Sequence, residues 1–259
     1  MGTTIKSKKD IKMLRESGKI LAEALQAVAE LAKEGAKREV STKDLDALAE
    51  QIIRKRGGVP AFLGYSDGPG RGFPAALCVS LNHEIVHGVP RHNRFLKAGD
   101  LVKLDLGVNY HNLFTDSAVT VVVGKVDNKI QKMVEVTKRS LEIGMEQIYP
   151  GSKLGNYGNA VEKYVTMNNF AVVRGLVGHG VGYAVHEAPQ IPNYGKVNKG
   201  KKLTEGMVLA LEPMVNEFSE GIMLAEDGFT FITEDRGLSA HFEHTVAVTE
   251  NGFEILTLP

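Results

Sequence analysis

LVKLDLGV (101–108), NYHN (109–112) and LFTDSAVTVVV (113–123) form the stretch whose reading decides the fold. Both outer runs are rich in β-branched and apolar residues, which marks strands. Asn109-Tyr110-His111-Asn112 between them reads as a turn. The pattern predicts an antiparallel hairpin over 101–108 and 115–123. With the turn centred between Tyr110 and His111, Asp105 falls opposite Asp116, and opposed residues share a face with Cβ atoms roughly 5 Å apart. Two carboxylates so placed repel, so one takes up a proton or a cation bridges them. These two residues alone leave open an ordinary solvated pair at the hairpin end. A one-residue slip would part the side chains.

Three later segments carry further candidate ligands. His179 lies in Gly178-His179-Gly180-Val181-Gly182, where flanking glycines let backbone approach a bound group and tolerate unusual dihedrals. Glu212 ends the apolar run Met207–Leu211 and precedes Pro213, and Glu243 opens a second run, His244–Val248. An acid beside a buried-looking strand needs a partner, because an unpaired buried charge costs several kcal/mol. Each signal is weak alone. Together, four carboxylates and one imidazole make a hard, oxygen-rich set that suits a catalytic pair of manganese, iron(II), cobalt or zinc ions. A structural zinc site would favour thiolates.

The order Asp105, Asp116, His179, Glu212, Glu243 resembles the ligand order of the type I methionine aminopeptidases. So do the strings FPAALCVSLNHEIVHGVP (73–90), VKLDLGV, FTDSA, GHGVG, VHEAP, LEPM and FEHT. The resemblance runs from about Ile11 to the C-terminus. It implies an α/β (α+β) pita-bread fold, also called creatinase/aminopeptidase, with two pseudo-symmetric halves around a dinuclear metal site. It implies removal of the initiator methionine from nascent proteins and peptides, with a small second residue preferred.

The resemblance also implies roles. Asp116 and Glu243 would bridge two divalent ions, Asp105 would complete one site, and His179 with Glu212 the other. Water held there becomes nucleophilic near neutral pH, and Glu212 would take its proton. His87 (in VHGVP) and His186 (in VHEAP) match catalytic histidines. His186 would steady the oxyanion and His87 would contact the scissile amide. Tyr65, Cys78 and Phe229 would line the methionine pocket. The chain departs from the usual pattern at Phe229, where many relatives carry tryptophan, and at Val185, where an aromatic is common. His241 stands where glutamine is usual. On a strand His241 shares a face with Glu243 and would lie near the metals. The segment Gly64–Gly72 is several residues longer than usual and reads as a mobile loop. It has neither a P-loop lysine pattern nor a GxGxxG opening a helix. His83, His92 and His111 match nothing and read as solvated.

Composition narrows the classes. The 259 residues carry 31 Lys plus Arg and 31 Asp plus Glu, so net charge is zero. That argues against broad nucleic-acid binding, which needs a positive field. Cys78 is the single cysteine, so no intrachain disulfide forms. No apolar run approaches the roughly 20 residues of a membrane span, and no signal peptide is read at the N-terminus. A cytoplasmic, monomeric enzyme is expected, with methionyl peptides and nascent chains as partners and the ribosome as a further candidate.

The chain reads as one catalytic domain over 1–259, with residues 1–9 a flexible polar tail. A first helix carries Leu14, Leu21, Leu25, Val28 and Leu31 behind a Ser7 or Asp10 cap. Ser41 with Asp44 resembles a capping box for a second. Asp127 caps a third that ends near Pro150-Gly151, and a fourth spans 153–168. Strands are expected near 76–81 and 170–174. The C-terminal third reads as short strands and loops, and no internal repeat is visible.

Only 33 positions separate His179 from Glu212, too few for the helical insertion of the type II enzymes. Two rivals remain: a proline-directed peptidase of the same fold, and a non-catalytic pita-bread binding protein.

Overall fold

In the computed structural model, which describes residues 2–66, 68 and 70–259, Leu101–Tyr110 and Leu113–Val122 pair antiparallel along their whole lengths. His111 and Asn112 turn the chain with φ of 53° and 62°. Two positive-φ residues give the turn whose twist suits a tight hairpin. This corrects the expected register. Asp105 faces Ala118 and Asp116 faces Gly107. Moving the turn centre by one residue moves each partner by two, so side-chain alternation is preserved and both aspartates keep the same face.

Val59–Pro60 and Leu77–Leu81 pair with the other edge of Leu101–Tyr110, completing a four-stranded antiparallel sheet. Two helices, Lys8–Glu34 and Thr42–Lys55, cover it. Each begins with a capping box, Ser7 with Asp10 and Ser41 with Asp44. Leu21, Leu25, Val28, Ala49 and Ile53 pack on Leu77, Val79, Leu104, Leu106 and Val108.

The second half repeats the arrangement. Helices Asn128–Met145 and Leu154–Met167 lie over a five-stranded antiparallel sheet. Its strand order is Gly252–Ile255, His244–Thr249, Val208–Leu211, Gly178–Gly180, Glu187–Ile191. Met133, Leu141, Tyr157 and Val161 pack on Leu209, Leu211, Val246 and Val248. Two helices over an antiparallel sheet, occurring twice, is the pseudo-symmetry that the sequence does not display. The third helix stops at Met145, short of Pro150, and Gly144 in its last turn packs against the Tyr157 ring, with no room for a Cβ.

The halves meet along a seam where Glu243 N donates to Ala118 O at 2.9 Å. Near the start of the chain, Lys6 departs from the expected frayed tail. It is buried, and its N–H donates to Gly206 O at 2.8 Å. Among the described residues, no helix is long and apolar enough to cross a membrane.

Candidate active site

Asp105 and Asp116 sit mid-strand on the hairpin face that looks toward the second half, and both are buried. Their carboxyls lie near enough to shift each other's ionisation. Burial lifts the Asp105 carboxyl to about 7, against an ordinary 3.8. Burial, then the charges of Asp105 and Glu212, pushes Asp116 well above its usual range.

The second half supplies three more groups. His179 Nε2 lies 3.4 Å from Glu212 Oε1 and 4.0 Å from Asp116 Oδ2. Its Nδ1 is 2.9 Å from Gly180 O. A carbonyl only accepts, so Nδ1 carries the proton and Nε2 offers its lone pair to the acids. The glycines on either side of His179 also serve packing. A Cβ at Gly178 would lie 2.4 Å from Ala210 O, and one at Gly180 would lie 2.4 Å from Ala188 O. They let the neighbouring strands approach closely.

Glu212 leaves the end of Val208–Leu211, and its carbonyl accepts from Asn193 Nδ2 at 3.0 Å. Asn193 in turn accepts from Tyr157 Oη at 2.7 Å, so the second half's helix layer steadies this turn. Glu243 is only 2% exposed. Burial, then neighbouring carboxylates, raises both glutamates well above their usual range.

Ligand atoms of Asp116, His179 and Glu243 all lie within 4.8 Å of one another. Glu212 joins through His179 and Asp105 through Asp116, so the five expected residues converge. Asp105 Oδ1, Asp116 Oδ1 and Glu243 Oε1 are buried without a hydrogen-bond partner among the described residues. Three buried carboxyls and a partly buried fourth, Glu212, cannot all ionise together unless cations share the space. Their orphaned oxygens and one oriented imidazole fit divalent ions of the first transition row.

Above this floor opens a cleft of about 1240 Å³ that takes in every expected site residue. His87 follows the strand Glu84–Val86 with φ of 59°, its ring edge-on to Phe231. His186 Nδ1 is 2.8 Å from Tyr65 Oη, and its ring centroid is 4.4 Å from that of His179. Tyr65, Cys78 and Phe229 pack in one apolar cluster with Phe62, Phe73 and Val185. Phe229 meets Phe73 edge-to-face. Burial, then the nearby Asp105 charge, pushes the Cys78 thiol up, so it stays protonated and acts as a small apolar wall. The expected mobile loop Gly64–Gly72 includes Asp67 and Pro69, which lie outside the described residues. Its ends are joined by Gly64 N to Phe73 O and Phe73 N to Tyr65 O, both at 2.8 Å.

His241 is fully buried, with Nε2 3.8 Å from Glu212 Oε2. Burial, then the charges of His87 and Lys103, lowers it to about 3, which keeps it neutral. His92 and His111 are exposed, whereas His83 is half-buried beside Arg236.

Sequence reasoning missed the side chains that hold the floor together. Thr245 brackets the Asp116 backbone and Thr120 brackets that of His241. These contacts span more than a hundred positions and leave no local signal.

Comparison with known proteins agrees with this geometry. The profile of metallopeptidase family M24 matches residues 12–250. Methionine aminopeptidase 1 of Bacillus subtilis is 44% identical over 97% of this chain and 98% of its own length. A Clostridium perfringens methionine aminopeptidase is 42% identical over 98% of each chain. Among solved structures, methionine aminopeptidase from Thermotoga maritima superposes with a TM-score of 0.95 at 40% identity, covering all of both chains. A prolidase from Pyrococcus horikoshii shares the fold at 23% identity and a TM-score of 0.73, with 98% of this chain covering 63% of that one. With the match along nearly its whole length and five would-be ligands gathered at its centre, the chain belongs to metallopeptidase family M24 and has its pita-bread fold.

Proposed function

We propose that the chain is an aminopeptidase that hydrolytically removes N-terminal methionine, with Asp105, Asp116, His179, Glu212 and Glu243 holding two divalent cations. The observation that carries this reading is the gathering of three buried carboxyls, the partly buried Glu212 and one oriented imidazole beneath an apolar cleft. Full-length similarity to methionine aminopeptidases supports it. Asp116, His179 and Glu243 lie close enough together to hold a cation, and Asp105 and Glu212 beside them would add further carboxylate donors. Divalent cations held there would supply the acidification that lets a water act as nucleophile near neutral pH. Manganese, iron(II), cobalt and zinc all suit the set.

The chain's own residues do the rest. Glu212 takes the proton of the attacking water. Tyr65 Oη lies 2.8 Å from His186 Nδ1, and with the tyrosine hydroxyl as donor the imidazole proton would sit on Nε2, where it would meet the carbonyl oxygen as charge develops. His87 contacts the scissile amide and assists the leaving amine. Tyr65, Cys78 and Phe229 take the methionine side chain, because a thioether suits a soft, polarisable wall. Val185, in place of a common aromatic, leaves that pocket wider. The substrates are methionyl peptides and nascent chains with a small second residue, met in the cytoplasm by a monomer.

The test is hydrolysis of Met-Ala-Ser by protein stripped of metal and then reloaded with each ion in turn. Methionine release that returns only on reloading is expected. Preferred cleavage of an X-Pro dipeptide would replace this reading with a proline-directed one. Failure to retain metal by mass spectrometry, with no turnover, would leave a binding protein.

A further inference from the structure

The segment Thr4–Lys6 ends in a buried ion pair that the proposed chemistry does not use. Lys6 is 4% exposed, and its Nζ donates to Glu187 Oε2 at 2.7 Å and to Thr4 Oγ1. The Thr4 hydroxyl donates to the same Glu187 oxygen. The lysine stem crosses Gly182, where an added Cβ would lie 2.3 Å from Lys6 Cε. Tyr183 lies against the ammonium, 5.1 Å from ring centre to Nζ, and its hydroxyl donates to Asp10 Oδ2 at 2.9 Å.

The other oxygen of Glu187 accepts the backbone N–H groups of Tyr183 and Ala184, the latter at 3.1 Å. Glu187 therefore closes the exposed 183–186 loop with one oxygen, while Lys6 and Thr4 hold its other oxygen from the buried side. That loop carries Val185 into the apolar cluster and His186 to the Tyr65 hydroxyl. Gly2 and Thr4 line the same cleft. A buried lysine–carboxylate pair adds little net stability, because desolvation offsets the attraction. Fixing a catalytic loop gives the pair a use, since a displacement of about 1 Å at a reacting group can cost about a hundredfold in rate.

We infer that Thr4–Lys6 is a latch and that Lys6, acting through Glu187, is a positioning residue for His186. The inference rests on the aminopeptidase reading for its kinetic consequence, but not for its structural one.

The experiment compares Lys6→Met, Glu187→Gln and the double variant in the full chain loaded with metal. Turnover of Met-Ala-Ser is measured alongside proton–carbon correlation spectra of protein labelled at histidine Cε1, with the His186 signal assigned by its loss in His186→Ala. Each single variant should lower kcat by about tenfold and keep KM within about twofold. The His186 resonance should move in both, the signal of His244 should stay in place, and the double variant should be no worse than either single one. An unmoved His186 signal in both variants overturns the latch. So does a general shift of every histidine signal together with lost thermal stability, which would mark a purely structural pair. If Lys6→Met does not fold, Glu187→Gln decides alone. A wild type that fails to cleave Met-Ala-Ser sinks the proposed activity, and the His186 resonance still decides the latch.

Discussion

The Thr245 hydroxyl accepts the Asp116 N–H at 2.8 Å and donates to the Asp116 carbonyl at 2.7 Å. One side chain thus satisfies both backbone polar groups of an acid on the other half of the molecule. Thr120 does the same for His241 in the opposite direction, accepting its N–H at 2.8 Å and donating to its carbonyl at 2.7 Å. The two brackets fix the strand of Asp116 against the strand that leads through Glu243. Thr245→Val keeps the shape and removes the bracket, leaving a buried amide unsatisfied at a cost of about 1–3 kcal/mol. The unfolding midpoint in denaturant should fall accordingly, with weaker cation binding by calorimetry. An unchanged midpoint would show that the bracket contributes nothing.

Glu212→Gln keeps the size and the backbone contact to Asn193 while removing the proton acceptor. Turnover should drop by about 10²–10⁴-fold. Circular dichroism and thermal midpoint should stay near wild type, since the partly buried carboxyl, crowded by other acids, is itself a burden in the cation-free fold. Wild-type activity in this variant would remove Glu212 from the role of base.

Asp116→Asn separates folding from cation binding. It takes one acid out of a crowded, buried set, so the cation-free protein should become more stable. Cation affinity by titration calorimetry should fall at least about tenfold. Equal affinity would count against a shared ligand at this position.

The Asp105 carboxyl, lifted by burial from 3.8 to about 7, makes cation-free stability depend on pH. Across that interval the folded state keeps a proton that the unfolded chain has released. The folded state binds more protons, so stability falls as pH rises from about 4 to about 7. Asp105→Asn deletes the titration. The melting temperature of wild type relative to this variant should fall through the same interval, and a flat difference would refute the assignment.

Gly180→Ala tests the close packing around His179. Its Cβ would sit 2.4 Å from the Ala188 carbonyl oxygen, a backbone atom with nowhere to go. The expected loss is about 1–3 kcal/mol, together with reduced cation affinity as His179 moves from Glu212. Full stability in the variant would show that the neighbouring strand gives way.

Much of this molecule was legible in its residues. Ser41 with Asp44 announces the second helix start, because a capping box is a local device written within four positions, whereas the first start is legible only as Ser7 or Asp10 until the structure shows Ser7 as the cap and Asp10 completing its box. The alternation around Asp105 and Asp116 gave the right face but the wrong partners. Nothing in NYHN says that His111 and Asn112, rather than Tyr110 and His111, take the positive-φ positions. The third helix outran its true end because the packing of Gly144 on Tyr157 is a tertiary fact. Lys6 looked like part of a solvated tail since its partner, Glu187, lies 181 positions away. Thr120, Asn193 and Thr245 gave no sign either, as a threonine or asparagine that anchors a distant backbone looks like any other.

The five would-be ligands are divided between two largely separate cores. Asp105 and Asp116 come from the first sheet, and His179, Glu212 and Glu243 from the second half. Neither half alone presents the whole set. Cations captured across that seam would add a clasp to the threonine brackets already there. A protease cut in the 123–127 connector would then leave two pieces whose hold on each other tightens with the metal supply.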